Sequence, residues 1–104
     1  MSNTMRESQI EAYLVKQVHE HGGETRKVKW IGRVGCPDRI VFLNGLIIWV
    51  ELKTQSGKVS LSQSREIKFL ELHDQFVFVI DSKFEVDYMI KAMLSLANGK
   101  VARH

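Results

Sequence analysis

Gly35-Cys36-Pro37-Asp38-Arg39-Ile40-Val41-Phe42-Leu43-Asn44-Gly45-Leu46-Ile47-Ile48-Trp49-Val50-Glu51-Leu52-Lys53 is the stretch around which this chain is organised. Two β-branched and aromatic runs flank Asn44-Gly45, a dipeptide that tolerates the positive φ angles of a type I′ turn, so the chain should reverse there into a β-hairpin. The turn sets the register. With Leu43 opposite Leu46, pairing runs outward through Phe42/Ile47, Val41/Ile48, Ile40/Trp49 and Arg39/Val50, and it brings Asp38 across from Glu51. Residues two apart on a strand share a face, and cross-strand partners hold their Cβ atoms about 4.5–5.5 Å apart. Asp38, Glu51 and Lys53 are therefore expected to converge at the open end of the hairpin.

Two facing carboxylates repel, and beside an apolar sheet water screens them poorly. A cation must lie between them. Lys53 alone would make this an ordinary ion-paired hairpin end. Carboxylate pairs beside an ammonium also hold hydrated Mg²⁺ for phosphate chemistry, with the remaining positions left to water and substrate.

Pro37-Asp38, twelve intervening residues and then Glu51-Leu52-Lys53 resembles the P-D…(D/E)-x-K signature of the restriction-endonuclease-like nuclease superfamily. The flanking text is more specific. Gly35-x-Pro37-Asp38-Arg39-Ile40-Val41, Val50-Glu51-Leu52-Lys53-Thr54 and Gly57-Lys58-Val59-Ser60-Leu61-Ser62-Gln63 together resemble the virus-type replication-repair nuclease domain, VRR-NUC, from the first helix to about Asp87. Cys36 stands where a small or aliphatic residue is expected.

Composition bounds the possibilities. The 104 residues, 44% hydrophobic and 26% charged, suit one small domain spanning 1–104 with a single core. No apolar run approaches the ~18–20 residues of a membrane span and the N-terminus is polar, so neither a signal peptide nor a membrane partner is expected. A single cysteine suits a reducing compartment, and the cytoplasm of a bacterium or phage-infected cell is the expected location. Net charge is +3, with an isoelectric point near 9.2, which favours an anionic partner. Arg26, Lys27, Lys29, Arg33 and Arg39 crowd the approach to the acidic cluster. There they either contact phosphates or simply protect an edge strand with charge.

Helix 1 is expected from about Met5 to His21 on the stripe of Ile10, Leu14 and Val18 with Tyr13, stopped by Gly22-Gly23. Thr4-x-x-Glu7 reads as its capping box, which gives Glu7 a structural task. Glu11 borders the apolar stripe, either as a solvated flank carboxylate or as an acid able to reach the sheet. A first strand is expected over Glu24 to Trp30. After Lys53 comes a polar loop, and Ser60-x-x-Gln63 caps helix 2. Gln63 also shares a face with Ile67 and Leu70, which turns it toward the sheet. Gln75 to Ile80 reads as a buried strand, and Ser82-x-x-Glu85 opens helix 3 on the stripe Val86, Met89, Ile90, Met93 and Leu94, with Gly99 as its stop and a frayed tail from Lys100. Both hairpin faces are apolar, so helices should cover the sheet on both sides. The expected architecture is α/β, a restriction-endonuclease-like core of order αβββαβα around a mixed four-stranded sheet, with strand 4 beside strand 1 or the hairpin.

Other chemistry is set aside. His19, His21, His73 and His104 show no zinc spacing with Cys36, and Cys36 has no local histidine partner. The resemblance implies a metal-dependent DNA endonuclease, with Mg²⁺ as cofactor and Mn²⁺ able to substitute. It places the metal on Asp38, Glu51, the backbone carbonyl of Leu52 and a helix-1 glutamate, Glu11 first and Glu7 second. It makes Lys53 and Gln63 catalytic partners, and Lys27 resembles a lysine recurrent at this place in the family; Lys27, Lys29, Arg33, Arg39 and Lys58 are the expected DNA contacts. Stand-alone members of the family resemble Holliday junction resolvases, which implies branched DNA and a homodimer. Helix 3 or the Phe76-to-Ile80 edge is the expected dimer surface. Flap, nick or duplex-end cleavage, and a non-catalytic binding module, are the alternatives.

Overall fold

The computed structural model describes residues 6–101, with side chains described as far as Leu96. Its elements are α1 (Glu7–Glu20), β1 (Glu24–Lys27), β2 (Arg39–Leu43), β3 (Leu46–Leu52), α2 (Leu61–Leu72), β4 (Phe76–Ile80) and α3 (Lys83–Val101). The sheet order is β1-β2-β3-β4, antiparallel except for the parallel pair β3/β4. A parallel pair needs a crossover, and α2 supplies it.

The hairpin register is the one expected from the turn, from Leu43 opposite Leu46 out to Arg39 opposite Val50. Asn44 and Gly45 sit at φ 52° and 81°, the left-handed conformations a type I′ turn requires. Period-two alternation then sorts the strands. Val41, Leu43, Ile48, Val50 and Leu52 bury themselves against Ile10, Leu14 and Val18 of α1 and Val86, Met89, Ile90 and Met93 of α3. Trp49, Glu51 and Lys53 take the opposite face, which α2 covers only in part: Phe42 and Ile47, near the turn, stay exposed. Cover on that side is thus incomplete.

Three local expectations are corrected. Helix 1 begins at Glu7, and Gln9, not Glu7, turns back to cap it, its Oε1 accepting the Arg6 amide at 2.9 Å; Thr4 lies outside the described residues. The first strand ends at Lys27, short of Trp30; the Val28 amide still bonds the Asp38 carbonyl, and Trp30 packs on Trp49. Helix 3 runs through Gly99 to Val101, and the expected fray beyond residue 101 lies outside the described residues. A glycine inside a helix costs about 1 kcal/mol, which is a tax and not a stop. No helix among the described residues is long and apolar enough to cross a membrane.

Candidate functional site

Asp38 is clamped before its side chain does anything. Its amide donates to Val50 O at 2.9 Å and its carbonyl accepts from the Val28 amide at 3.2 Å, so the residue bridges β1 and β3 at the start of β2. Its Oδ2 then accepts the Leu52 amide at 2.7 Å. The carboxylate is thereby held against the end of β3.

Glu51 is almost fully buried, with 1% of its surface exposed. Its Oε2 accepts from Lys53 Nζ at 3.1 Å and from Gln63 Nε2 at 2.6 Å, while its Oε1 is buried with no partner. Burial pushes the Glu51 carboxyl up to about 7; the bond from Lys53 opposes this, and the charges of Asp38 and Glu7 add to it. Gln63 performs both tasks its spacing allowed. Its Oε1 accepts the Ser60 amide at 2.9 Å, and its own amide N–H donates to Ser60 Oγ at 3.1 Å, completing the capping box; its side-chain nitrogen reaches Glu51. The helix cap therefore fixes the donor that fixes the acid.

The two helix-1 acids separate. Glu11 is spent on Arg39, whose Nε donates to it at 2.7 Å, with Lys27 Nζ at 3.8 Å. Glu7 is exposed, and its charge is felt at Glu51. The site therefore gathers Asp38, Glu51, Lys53 and Gln63 closely, has Glu7 within electrostatic reach, and leaves Glu11 in a neighbouring ion network. Arg39 is drawn into that network and only 15% of its side chain is exposed, so it is not free to meet a phosphate as expected.

Among the described residues, no three His, Cys, Asp or Glu side chains form a ready-made metal cluster. A hard cation such as Mg²⁺ needs only one or two carboxylates and keeps waters for the rest. Asp38 with the bare Oε1 of Glu51 is such an oxygen donor set. A buried carboxylate oxygen with no hydrogen bond is costly unless something positive completes it.

Beside Asp38 opens a cleft of about 590 Å³ lined by Lys27, Lys29, Trp30, Arg33 and Val34. Lys58 is exposed on the loop after β3. Cys36 also lines the cleft, but burial pushes its thiol pKa up, which keeps it a poor nucleophile. Sequence reasoning missed Glu66, a buried acid of α2 whose Oε2 holds Arg33 Nη2 at 2.9 Å. Its signal was present in the spacing: three residues after Gln63 and four before Leu70, it lies on the helix face turned toward the sheet.

No protein-family model matches the chain. Over 80 residues it is 42% identical to "Putative nuclease p44" of Acyrthosiphon pisum secondary endosymbiont phage 1, a match covering 76% of this chain and 86% of that protein. A solved structure titled "VRR_NUC domain" superposes with a TM-score of 0.76 at 32% identity, covering 82% of this chain and 94% of that one.

Proposed function

Because this chain belongs to the VRR-NUC family of nucleases, we propose that it is a Mg²⁺-dependent endonuclease that hydrolyses phosphodiester bonds in branched DNA, four-way junctions above all, with Mn²⁺ able to substitute. The observation that carries the reading is Glu51: a buried carboxylate beside Asp38, held through one oxygen by Lys53 and Gln63 and bare at the other. Asp38, Glu51 and Glu7 would hold the cation, with the Leu52 carbonyl that the family resemblance implies. Bound there, it would lower the pKa of an attacking water and offset charge on the scissile phosphate.

The chain's own residues supply the rest. Gln63 locks the Glu51 rotamer. Lys53, largely shielded from water, brings a fixed positive charge to the place where negative charge grows during hydrolysis. Lys27, Lys29 and Lys58 would hold the DNA backbone on either side, contacts that position a duplex without reading its sequence. Arg39 acts indirectly by tying down Glu11. Two incisions on symmetry-related strands call for two sites, and a two-fold homodimer supplies them. The methionine stripe of α3 is consumed by the core, so the exposed Phe76 and Val79 of the edge strand β4 are the better candidates for that contact. A phage relative fits action in the cytoplasm of a bacterium or an infected host.

The substrate is tested by incubating the protein with labelled four-way junctions, flaps, nicked duplex and plain duplex in Mg²⁺, Mn²⁺ or EDTA. Junction cleavage in paired, symmetric strands is expected. Equal cutting of all four DNAs would remove the junction from the account.

Glu7 and Glu11 should part company experimentally. Glu7→Gln is expected to slow cleavage on the order of 10²-fold, the scale of losing a metal-ligating group, with little change in melting temperature. Glu11→Gln strips Arg39 of its partner and should cost about 1–2 kcal/mol of stability while leaving most of the cleavage rate. Initial rates and thermal melts decide between them, and the reverse pattern would return the role to Glu11.

A further inference from the structure

Ile31 is 99% exposed and Val34 73% exposed, at the tip of the loop between β1 and β2. Single exposed aliphatic residues are common and need no explanation. The place of these two sets them apart. Lys29 precedes them and Arg33 lies between them in the chain, and Val34 lines the same cleft as Lys27, Lys29 and Asp38.

The loop is also held out firmly. At its base Trp30 packs on Trp49, with ring centroids 5.7 Å apart. In its middle Arg33 is bonded to the buried Glu66 at 2.9 Å. At its far end Gly35, at φ +98°, sits so close to α2 that a Cβ there would lie 2.5 Å from the Ser62 carbonyl oxygen. These three contacts tie the loop to the sheet and to α2 with Ile31 and Val34 facing outward.

We propose that Ile31 and Val34 form a wedge that enters between base pairs of the DNA lying in the cleft, with Lys29 set against the adjoining phosphates and Arg33 holding the loop on Glu66. The idea rests on the nuclease reading above and deepens it, because it gives the protein a means of preferring branched DNA. Apolar wedges unstack a base step at a cost of a few kcal/mol. That cost is lowest where stacking is already interrupted, as at a branch point. An aliphatic side chain in water gains its burial there without opening an intact helix. The charge of the tip admits the wedge to the phosphate backbone and would disfavour an apolar protein partner.

The test places 2-aminopurine at the branch point of a four-way junction or in the middle of a continuous duplex. It uses protein carrying Lys53→Ala, with readings taken within the first minutes, so that little of the DNA is cut in Mg²⁺. Binding should brighten the branch-point probe and leave the duplex probe dim. Adding Ile31→Ser and Val34→Ser should abolish the brightening and lower the junction-over-duplex affinity ratio about a hundredfold or more, about tenfold for each aliphatic burial lost. Leu72→Ser, which replaces another strongly exposed aliphatic residue at the far end of α2, should leave both readouts unchanged. Thermal melts verify folding, which exposed positions should not disturb. Persistent brightening in the double substitution, with junction cleavage intact in the unsubstituted protein, would overturn the wedge alone. Failure of the unsubstituted protein to bind or cut any DNA would overturn the wedge and the nuclease reading together.

Discussion

Replacing Glu51 with glutamine should lower DNA cleavage by on the order of 10³-fold or more, because it removes the buried carboxylate that the proposed metal site beside Asp38 requires. DNA binding, which rests on the cationic cleft, should survive. The same substitution has a second signature that does not depend on catalysis. The Glu51 carboxyl titrates near 7 in the fold, raised by burial from its ordinary 4.5. Between those values the native state holds a proton that the unfolded chain has released, so stability falls as pH rises through this window. The metal-free protein should lose about 3 kcal/mol by this group alone between pH 4.5 and pH 7, and Glu51→Gln should lack that slope. Urea unfolding in EDTA at pH 5 and pH 8 reads the difference, with the other titrating groups cancelling between the two proteins. Parallel pH profiles would show that Glu51 is not desolvated as described.

Lys53→Ala should be nearly as damaging, costing on the order of 10²–10³-fold in turnover, the usual scale for removing a charge aimed at a developing anion. Its second effect runs through Glu51. The Lys53 ammonium donates to Glu51 Oε2 and is the main influence holding that carboxyl down against burial. Without it the carboxyl should titrate above 7, so residual cleavage should rise with pH over a range shifted to the alkaline side of wild type. Near-wild-type turnover, or an unshifted profile, would deny Lys53 both roles.

The two acids and the lysine were legible because their placement depends on short-range rules. The Asn44-Gly45 turn sets a register, and a period of two puts Glu51 and Lys53 on one face. Gln63 was legible as a cap from Ser60-x-x-Gln63, yet its bond to Glu51 depends on where α2 lands after crossing from β3 to β4, which spacing alone does not determine. The contact that separates Glu7 from Glu11 was illegible for the same reason. Periodicity places Glu11 at the edge of the buried stripe, but the deciding contact is with Arg39, 28 residues away in sequence. Arg39 read as a phosphate ligand because nothing near it in the chain could occupy it. Trp30 fitted the alternation of a strand, and its packing on Trp49 is a contact that alternation does not reveal.

Glu51 and Asp38 are proposed to hold a divalent cation that Glu51 can accept only after giving up its proton. Calorimetric titration of Mn²⁺ or Mg²⁺ into the metal-free protein near pH 6.5, in buffers of different ionisation enthalpy, tests it most directly. Saturable binding is expected, with release of a substantial fraction of one proton per cation, affinity that rises with pH toward 7.5, and loss of both in Glu51→Gln. Equal binding by wild type and Glu51→Gln, with no proton released, would contradict it.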